Sequence, residues 1–145
     1  MNFTKENKVT TALDYASGSA DRNGAILDMQ GYEGVAIVVK FATIATGAVT
    51  SIKAQQGAAS NLSDAADLAG TAQTVADDDD NQIFMIDIFR PAERYIRLVV
   101  DKDASNATGE SAIYIQYGPR KQPVVNAVAD AVSVELHVSP AEGTA

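Results

Sequence analysis

The sequence predicts an all-β protein, an antiparallel β-sandwich of about eight strands with a jelly-roll-like topology. Several short segments alternate apolar and polar residues, as strands buried on one face do. Valine and isoleucine together number 24 against six leucines, a β-branched bias that suits pleated sheets. Clusters of turn-forming residues separate these segments, and no long helical pattern interrupts them.

The 145 residues have the length of one ordinary domain. We predict a flexible N-terminal arm over residues 1–11, a β-sandwich domain over residues 12–118 and a C-terminal extension over residues 119–145. The chain has no cysteine, which excludes disulfides and a cysteine nucleophile, so packing must stabilise the fold.

The first strand candidates, in chain order, are TALDYAS (residues 11–17), GAILDM (24–29) and VTSIKAQQ (49–56). GVAIVVKFA (34–42) and IFMIDIF (83–89) are apolar on both faces. Such strands are either central in a sheet or have a second face that meets another subunit. The segment NLSDAADLAG (61–70) predicts a helical turn or two, capped by Ser63 and ending at Gly70.

The later segments alternate more clearly. RYIRLVVD (residues 94–101) places Ile96, Leu98 and Val100 on an inward face, and AIYIQYG (112–118) puts Tyr114 and Gln116 on the opposite side from its isoleucines. VSVELHV (132–138) predicts a last strand with its valines and leucine on one face.

About 14 residues with two prolines, GPRKQPVVNAVADA, separate this last strand from the rest. A connection of that length is uncommon inside a compact domain, so we expect the last strand to pair with a neighbouring subunit.

Four consecutive aspartates, residues 77–80, raise the question of a cation site. Calcium needs six to eight converging oxygens, usually supplied from alternate positions around a glycine turn. Consecutive aspartates project in different directions, and this run lacks the glycine and a closing glutamate. We therefore predict a solvated loop that keeps the following apolar strand from aggregating.

No catalytic, cofactor-binding or metal-ligating set emerges from the remaining motifs. His137 is the only histidine and lies on the polar face of the predicted last strand, beside Glu135. No serine lies in a nucleophile-elbow context. QGYEG lacks the Lys-Ser/Thr ending of a phosphate loop, so a tight turn is the better interpretation. We expect a protein without enzymatic activity and without cofactors.

Basic residues cluster in RPAERYIR and YGPRKQP, within a chain that is otherwise acidic. They either pair with local aspartates or form an interaction surface with nearby tyrosines, since Arg and Tyr are enriched at interface hot spots. The candidate interface residues are Tyr32, Arg94, Arg97, Tyr114, Tyr117, Arg120 and Lys121.

The net charge of −8 disfavours binding to nucleic acid. The polar N-terminus shows no signal peptide, and no apolar run approaches the roughly 18 residues of a membrane span. We expect a soluble protein, made without a secretion signal, with neither nucleic acid nor membrane as partner.

Three blocks resemble a family of small proteins encoded among the head-structure genes of tailed phages and prophages. They are GYEGVAIVVKFATIATGAVTSIKAQQGAASNLSDAADLAGT, DDDDNQIFMIDIFRPAERYIRLVVD and AIYIQYGPRKQP, within residues 28–123. The most specific parts are QQG…SDAADLAG, ERYIR (a KRYIR-like block) and YGPRKQP.

The resemblance implies a capsid decoration or cement protein, made in the host bacterial cytoplasm and bound to the outer capsid surface as a homotrimer. Its partners would be the major capsid protein and itself. Alternatives are a tail, neck or fibre component, or a carbohydrate-binding β-sandwich in which Tyr32 and Tyr114 stack on a sugar ring.

Overall fold

The computed structural model describes residues 2–104 and 107–144, and residues 1 and 145 of the predicted arm and extension lie outside these ranges. One short helix, α1 (Phe3–Glu6), precedes the strands. The strands are β1 (Lys8–Gly18), β2 (Arg22–Asn23), β3 (Leu27–Asp28), β4 (Gly34–Ile44), β5 (Thr50–Gly57), β6 (Ala66–Asp67), β7 (Gln73–Val75), β8 (Ile83–Phe89), β9 (Tyr95–Lys102) and β10 (Thr108–Tyr117). In the described ranges, no helix is long and apolar enough to cross a membrane.

The strands form two antiparallel sheets packed face to face. Sheet A has the order β1-β10-β4-β8; sheet B has the order β2-β9-β5-β6, with β3 also paired to β9 and β7 also paired to β5. If β2 with β3 and β6 with β7 are each taken as one interrupted strand, the chain has eight strands that pass between the sheets in jelly-roll order. The predicted fold class is confirmed.

The core lies between the sheets and is built by period-two alternation. On β9, Ile96, Leu98 and Val100 are fully buried, as their spacing predicted. β4 is a central strand between β10 and β8, and its inward residues Val35, Ile37, Val39 and Phe41 are fully buried. β8, by contrast, is an edge strand. A central position in the sheet therefore does not explain why β8 is apolar on both faces, as it does for β4.

Two local predictions differ from the structure. Residues 61–70 contain no helix; Asp64 instead accepts hydrogen bonds from the backbone of Ala58 and Ala59, and Leu62 has a left-handed φ of 51°. β1 begins at Lys8, so the last part of the predicted arm belongs to the sheet. Residues 132–138 form no strand within this chain, and their predicted pairing with a neighbouring subunit stays a prediction.

Tyr114 joins the two sheets at the interruption between β2 and β3. It projects from β10 in sheet A; its hydroxyl accepts a hydrogen bond from Leu98 N of β9 at 2.8 Å and donates to Ala25 O at 2.9 Å. Gly24 makes room for it, since a Cβ there would lie 2.6 Å from the Tyr114 hydroxyl. Burial raises the pKa of Tyr114 to about 12.

We predict that Tyr114→Phe lowers the free energy of unfolding by about 1–3 kcal/mol at pH 7, because Leu98 N–H and Ala25 C=O lose their partner. The raised pKa favours the neutral phenol in the folded state. The stabilisation that the neutral Tyr114 hydroxyl gives to the fold is therefore complete below pH 10 and is lost as the pH rises toward 12.

Urea denaturation at several pH values measures both effects. The difference between wild type and Tyr114→Phe should narrow between pH 10 and 12. Tyr15→Phe is the control, because Tyr15 is 64% exposed. A Tyr114→Phe protein as stable as wild type at pH 7 would contradict this assignment.

Candidate interaction surface

A cluster of buried charges lies where β2, β9 and β10 come together. Glu110 Oε1 is 2.9 Å from Arg22 Nη1 and 2.9 Å from Lys102 Nζ. Thr108 Oγ1 donates to the second carboxylate oxygen of Glu110 at 3.1 Å. The side chains of Glu110 and Lys102 are 0% and 1% exposed.

The hydrogen-bonding groups of this cluster are used within the chain. Lys102 Nζ also donates to Gly18 O and Thr108 O, which occupies its three donors. Arg22 also donates to Asp14 O. Because Glu110 comes from sheet A while Arg22 and Lys102 come from sheet B, the cluster ties the two sheets together.

Sequence reasoning missed this cluster, although a signal was present. Tyr114 and Gln116 share a face of their strand, and continuing that alternation backward reaches Ala112 and then Glu110. A glutamate on the same face as a core tyrosine needs a buried cation, so the pattern could have indicated an internal ion pair.

We predict that Glu110→Ala lowers the free energy of unfolding by about 3–5 kcal/mol, because Lys102 would stay buried without a counter-charge. Glu93→Ala, at an exposed loop position, is the matched control and should change stability little. Chemical denaturation of the two variants gives the comparison. If Glu110→Ala lowered the free energy of unfolding no more than Glu93→Ala does, the Glu110–Lys102 ion pair would not be needed for stability.

Three of the four aspartates in residues 77–80 accept hydrogen bonds from backbone amides of the chain itself. Asp80 accepts from Ile44 N at 2.6 Å, Asp77 from Gly47 N at 2.6 Å and Asp79 from Ala76 N at 2.8 Å. Within the described ranges, no group of three or more His, Asp or Glu side chains is placed to hold a metal ion. The run therefore anchors the β4–β5 connection and leads into β8.

We predict that calcium leaves the melting temperature unchanged, whereas Asp80→Ala lowers the free energy of unfolding by about 1–3 kcal/mol through the loss of a charged acceptor. Asp78→Ala is the control, because no side-chain hydrogen bond of Asp78 is seen in the described part of the chain. Thermal denaturation with calcium and with chelator tests the first statement. A rise in melting temperature with calcium would reinstate the cation site.

Three of the predicted interface residues line one open cleft at an end of the sandwich, with a volume of about 650 Å³: Tyr32, Arg94 and Arg120. We call it the end cleft. Arg94 forms a two-pronged ion pair with Asp28, at 2.8 and 2.7 Å, and these hydrogen bonds hold the pKa of Asp28 below its usual range. Burial raises the pKa of Tyr32.

The other predicted interface residues lie elsewhere. Arg97 bonds Gln55 on sheet B at 2.9 Å, and Lys121 is exposed after β10. Tyr117 lies over Gly34 and donates to Asp87 at 2.7 Å; burial and that carboxylate raise its pKa to about 12. Tyr114 does not belong to this set, because it is fully buried in the core.

His137 stays on an exposed segment near the C-terminus. Its Nε2 lies 2.9 Å from Glu135 Oε2, and both side chains are more than 60% exposed, at 64% and 68%. No third group of the described chain orients this pair, so its geometry does not resemble that of a general base.

The outer face of sheet A, which points away from the core, carries apolar side chains. The sequence pattern alone did not show whether these side chains would be buried or exposed. Ile83, Met85 and Phe89 on β8 are between 54% and 62% exposed, and Ile113 on β10 is 37% exposed. Met85 and Ile113 both lie opposite Val38 of β4, so they form a continuous row. We call this surface, together with Ile115, the outer apolar face.

The C-terminal segment first runs along the free edge of β1. The residues that follow have exposed apolar side chains. Asn126 accepts from Val9 N at 2.7 Å and Asp130 accepts from Thr11 N at 2.9 Å, which covers the β1 edge. The next residues, 132–138, are the tail segment. Its apolar side chains are between 45% and 89% exposed: Val132, Val134, Leu136 and Val138.

Comparisons with known proteins give little beyond this geometry. No protein-family model matches the chain, and no curated protein matches it. Among solved structures, a chain from the structure of infectious bursal disease virus Gt strain is 13% identical with a TM-score of 0.44, over 77% of this chain and 31% of that chain. This chain thus spans about a third of that chain's length, and a likeness this distant says nothing about function.

Proposed function

We propose that this chain is a structural protein of a phage virion, and more specifically a decoration protein that binds the outer surface of the capsid. The observation that supports this role best is the amount of apolar surface that the folded chain leaves exposed. The outer apolar face and the tail segment leave large side chains in water that an assembly partner would cover.

The jelly-roll strand order is compatible with this proposal, since the architecture recurs in viral capsid domains. It also recurs in lectins, so the fold alone does not decide the function. The block resemblance to phage head-region proteins supports a structural role in the virion more firmly than it supports any one position in the particle. The partners we propose are the major capsid protein and further copies of this chain, as a homotrimer.

Such a protein would act through binding free energy alone. If it binds the expanded shell and not the unexpanded one, occupancy at 100 times the Kd stabilises the expanded shell by about 2.7 kcal/mol per site. Many sites on one shell add their effects against internal DNA pressure. The net charge of −8 suits an exterior position, where contact with packaged DNA is not needed.

We predict that heads lacking this protein release their DNA at a lower temperature than complete heads, and that adding the purified protein restores the difference. Ile113→Lys, on the outer apolar face, should restore less, because it places a charge at the surface we assign to the shell. Asp78→Asn, on the acidic loop, is the control and should restore fully. DNA release on heating is measured by dye fluorescence.

Equal DNA retention with and without the protein would contradict the stabilising role. Antibody labelling of particles separates the structural alternatives: label over the whole head supports decoration, whereas label at one vertex, on the tail or on fibres supports a neck, tail or fibre component.

The end cleft favours one second candidate, a carbohydrate-binding module. The cleft offers Tyr32 for stacking and Arg90, Arg94 and Glu33 for hydrogen bonding. The burial of Tyr114 removes the other tyrosine that the sequence suggested for sugar stacking. A glycan array tests this candidate, and loss of a positive signal in Tyr32→Ala would locate the site.

A further inference from the structure

β8 is the long open edge of this fold. The strands at the two edges of sheet B have only two or three residues each, a common way to prevent edge pairing. The edge of β1 is covered by Asn126 and Asp130. β8 has seven residues, most of them apolar, and within the described ranges its only strand partner is β4.

The backbone of β8 presents alternate hydrogen-bonding groups to this open edge. Gln82 O accepts from Phe41 N of β4, so the even-numbered residues of this stretch face β4. Met85 O accepts instead from the Gln73 side chain on the opposite side. The N–H groups of Ile83, Met85 and Asp87 therefore point away from β4, into the position of a missing strand.

The tail segment has the properties of that missing strand. It alternates apolar residues with Ser133, Glu135 and His137 over seven residues, the same length as β8. In the isolated chain it belongs to no strand, and its four apolar residues are between 45% and 89% exposed. A segment with strand periodicity and no partner is suited to adding to an exposed edge.

The tail segment cannot run alongside β8 of its own chain. Asp130 holds the chain at the β1 edge, and the tail segment begins two residues later, within about 7 Å of that anchor. β8 lies three strands away across sheet A, about 14 Å at the usual strand spacing. The acceptor edge must therefore come from another molecule.

We propose that the tail segment of one copy of this chain adds as a strand to the open edge of β8 in a second copy. Its valines and leucine would lie beside Ile83, Met85 and Phe89, whose exposed side chains would then be covered. Donor and acceptor are different surfaces, so each copy gives one tail and receives one. Such head-to-tail contacts form a ring when the rotation between copies closes and a filament when it does not. This inference goes beyond the proposed capsid role and does not depend on it.

Two full-length variants test the two halves of the contact separately. Val134→Asp combined with Leu136→Asp damages the tail segment and leaves β8 intact. Met85→Pro removes the outward N–H of β8 and leaves the tail segment intact; Met85→Thr is its control, because it keeps the N–H and suits a strand. Ser133→Asp, on the polar side of the tail segment, is the control for the double variant.

Light scattering after size-exclusion chromatography gives the oligomeric state of each protein. Wild type and both controls should be oligomers, and the two damaged variants should each be monomers. An equimolar mixture of the damaged variants should form a heterodimer, because one supplies the intact tail segment and the other the intact edge. No ring can close from that pair.

A monomeric wild type would overturn the proposal, as would a double tail variant that stays oligomeric or a mixture that stays monomeric. A second measurement avoids any effect of proline on folding. Since the chain has no cysteine, single variants Met85→Cys and Leu136→Cys can be mixed and oxidised. Disulfide-linked pairs of the two variants should form faster than homodimers of either, and equal rates would contradict strand addition.

Discussion

The inward face of β10 holds the two sheets together. Three polar side chains reach from this strand to sheet B and its connections: Glu110 to Arg22 and Lys102, Tyr114 to Leu98 and Ala25, and Gln116 to Asp28 O. Each is fully or almost fully buried, so each contact replaces hydrogen bonds to water. The apolar core fills the space between the sheets, but these contacts fix how the sheets are placed relative to each other.

This internal use of polar chemistry bears on function. The buried ionisable groups bond to one another, and three of the four aspartates of residues 77–80 bond to backbone amides. What the exterior offers is the outer apolar face, an unpaired strand edge and an apolar tail segment. These are features of a protein that acts by covering surface on a partner, and they motivate both the virion role and the exchange of strands between copies.

The alternating strands could be predicted from sequence because their pattern reports directly which side chains are buried. The pattern of residues 94–101 predicted the inward residues of β9. The same kind of pattern at residues 132–138 has no strand partner within the chain. Alternation describes what a strand would bury but does not supply the neighbouring strand. For β8, an apolar second face left two interpretations open, and only the topology shows that the strand lies at an edge.

Other misses have local physical causes. The helical turn predicted around Ser63 does not form. The Asp64 side chain instead accepts hydrogen bonds from the backbone of Ala58 and Ala59 and closes a loop. Tyr114 was assigned to a surface because tyrosine is common at interfaces, yet its hydroxyl fills a gap in sheet B that no sequence pattern reveals. The end cleft joins loops distant in sequence, so only part of its lining was predicted.

Amide hydrogen exchange at several protein concentrations tests most directly the claim that a fixed core carries surfaces built for assembly. The amides of Leu98 and Lys102 should exchange slowly at every concentration, because Tyr114 and Asp21 hold them within the fold. The outward amides of Ile83, Met85 and Asp87 on β8 and the amides of residues 132–138 should exchange quickly in dilute solution and slowly in concentrated solution. Exchange in these two segments that does not change with concentration, or rapid exchange at Leu98, would contradict the account.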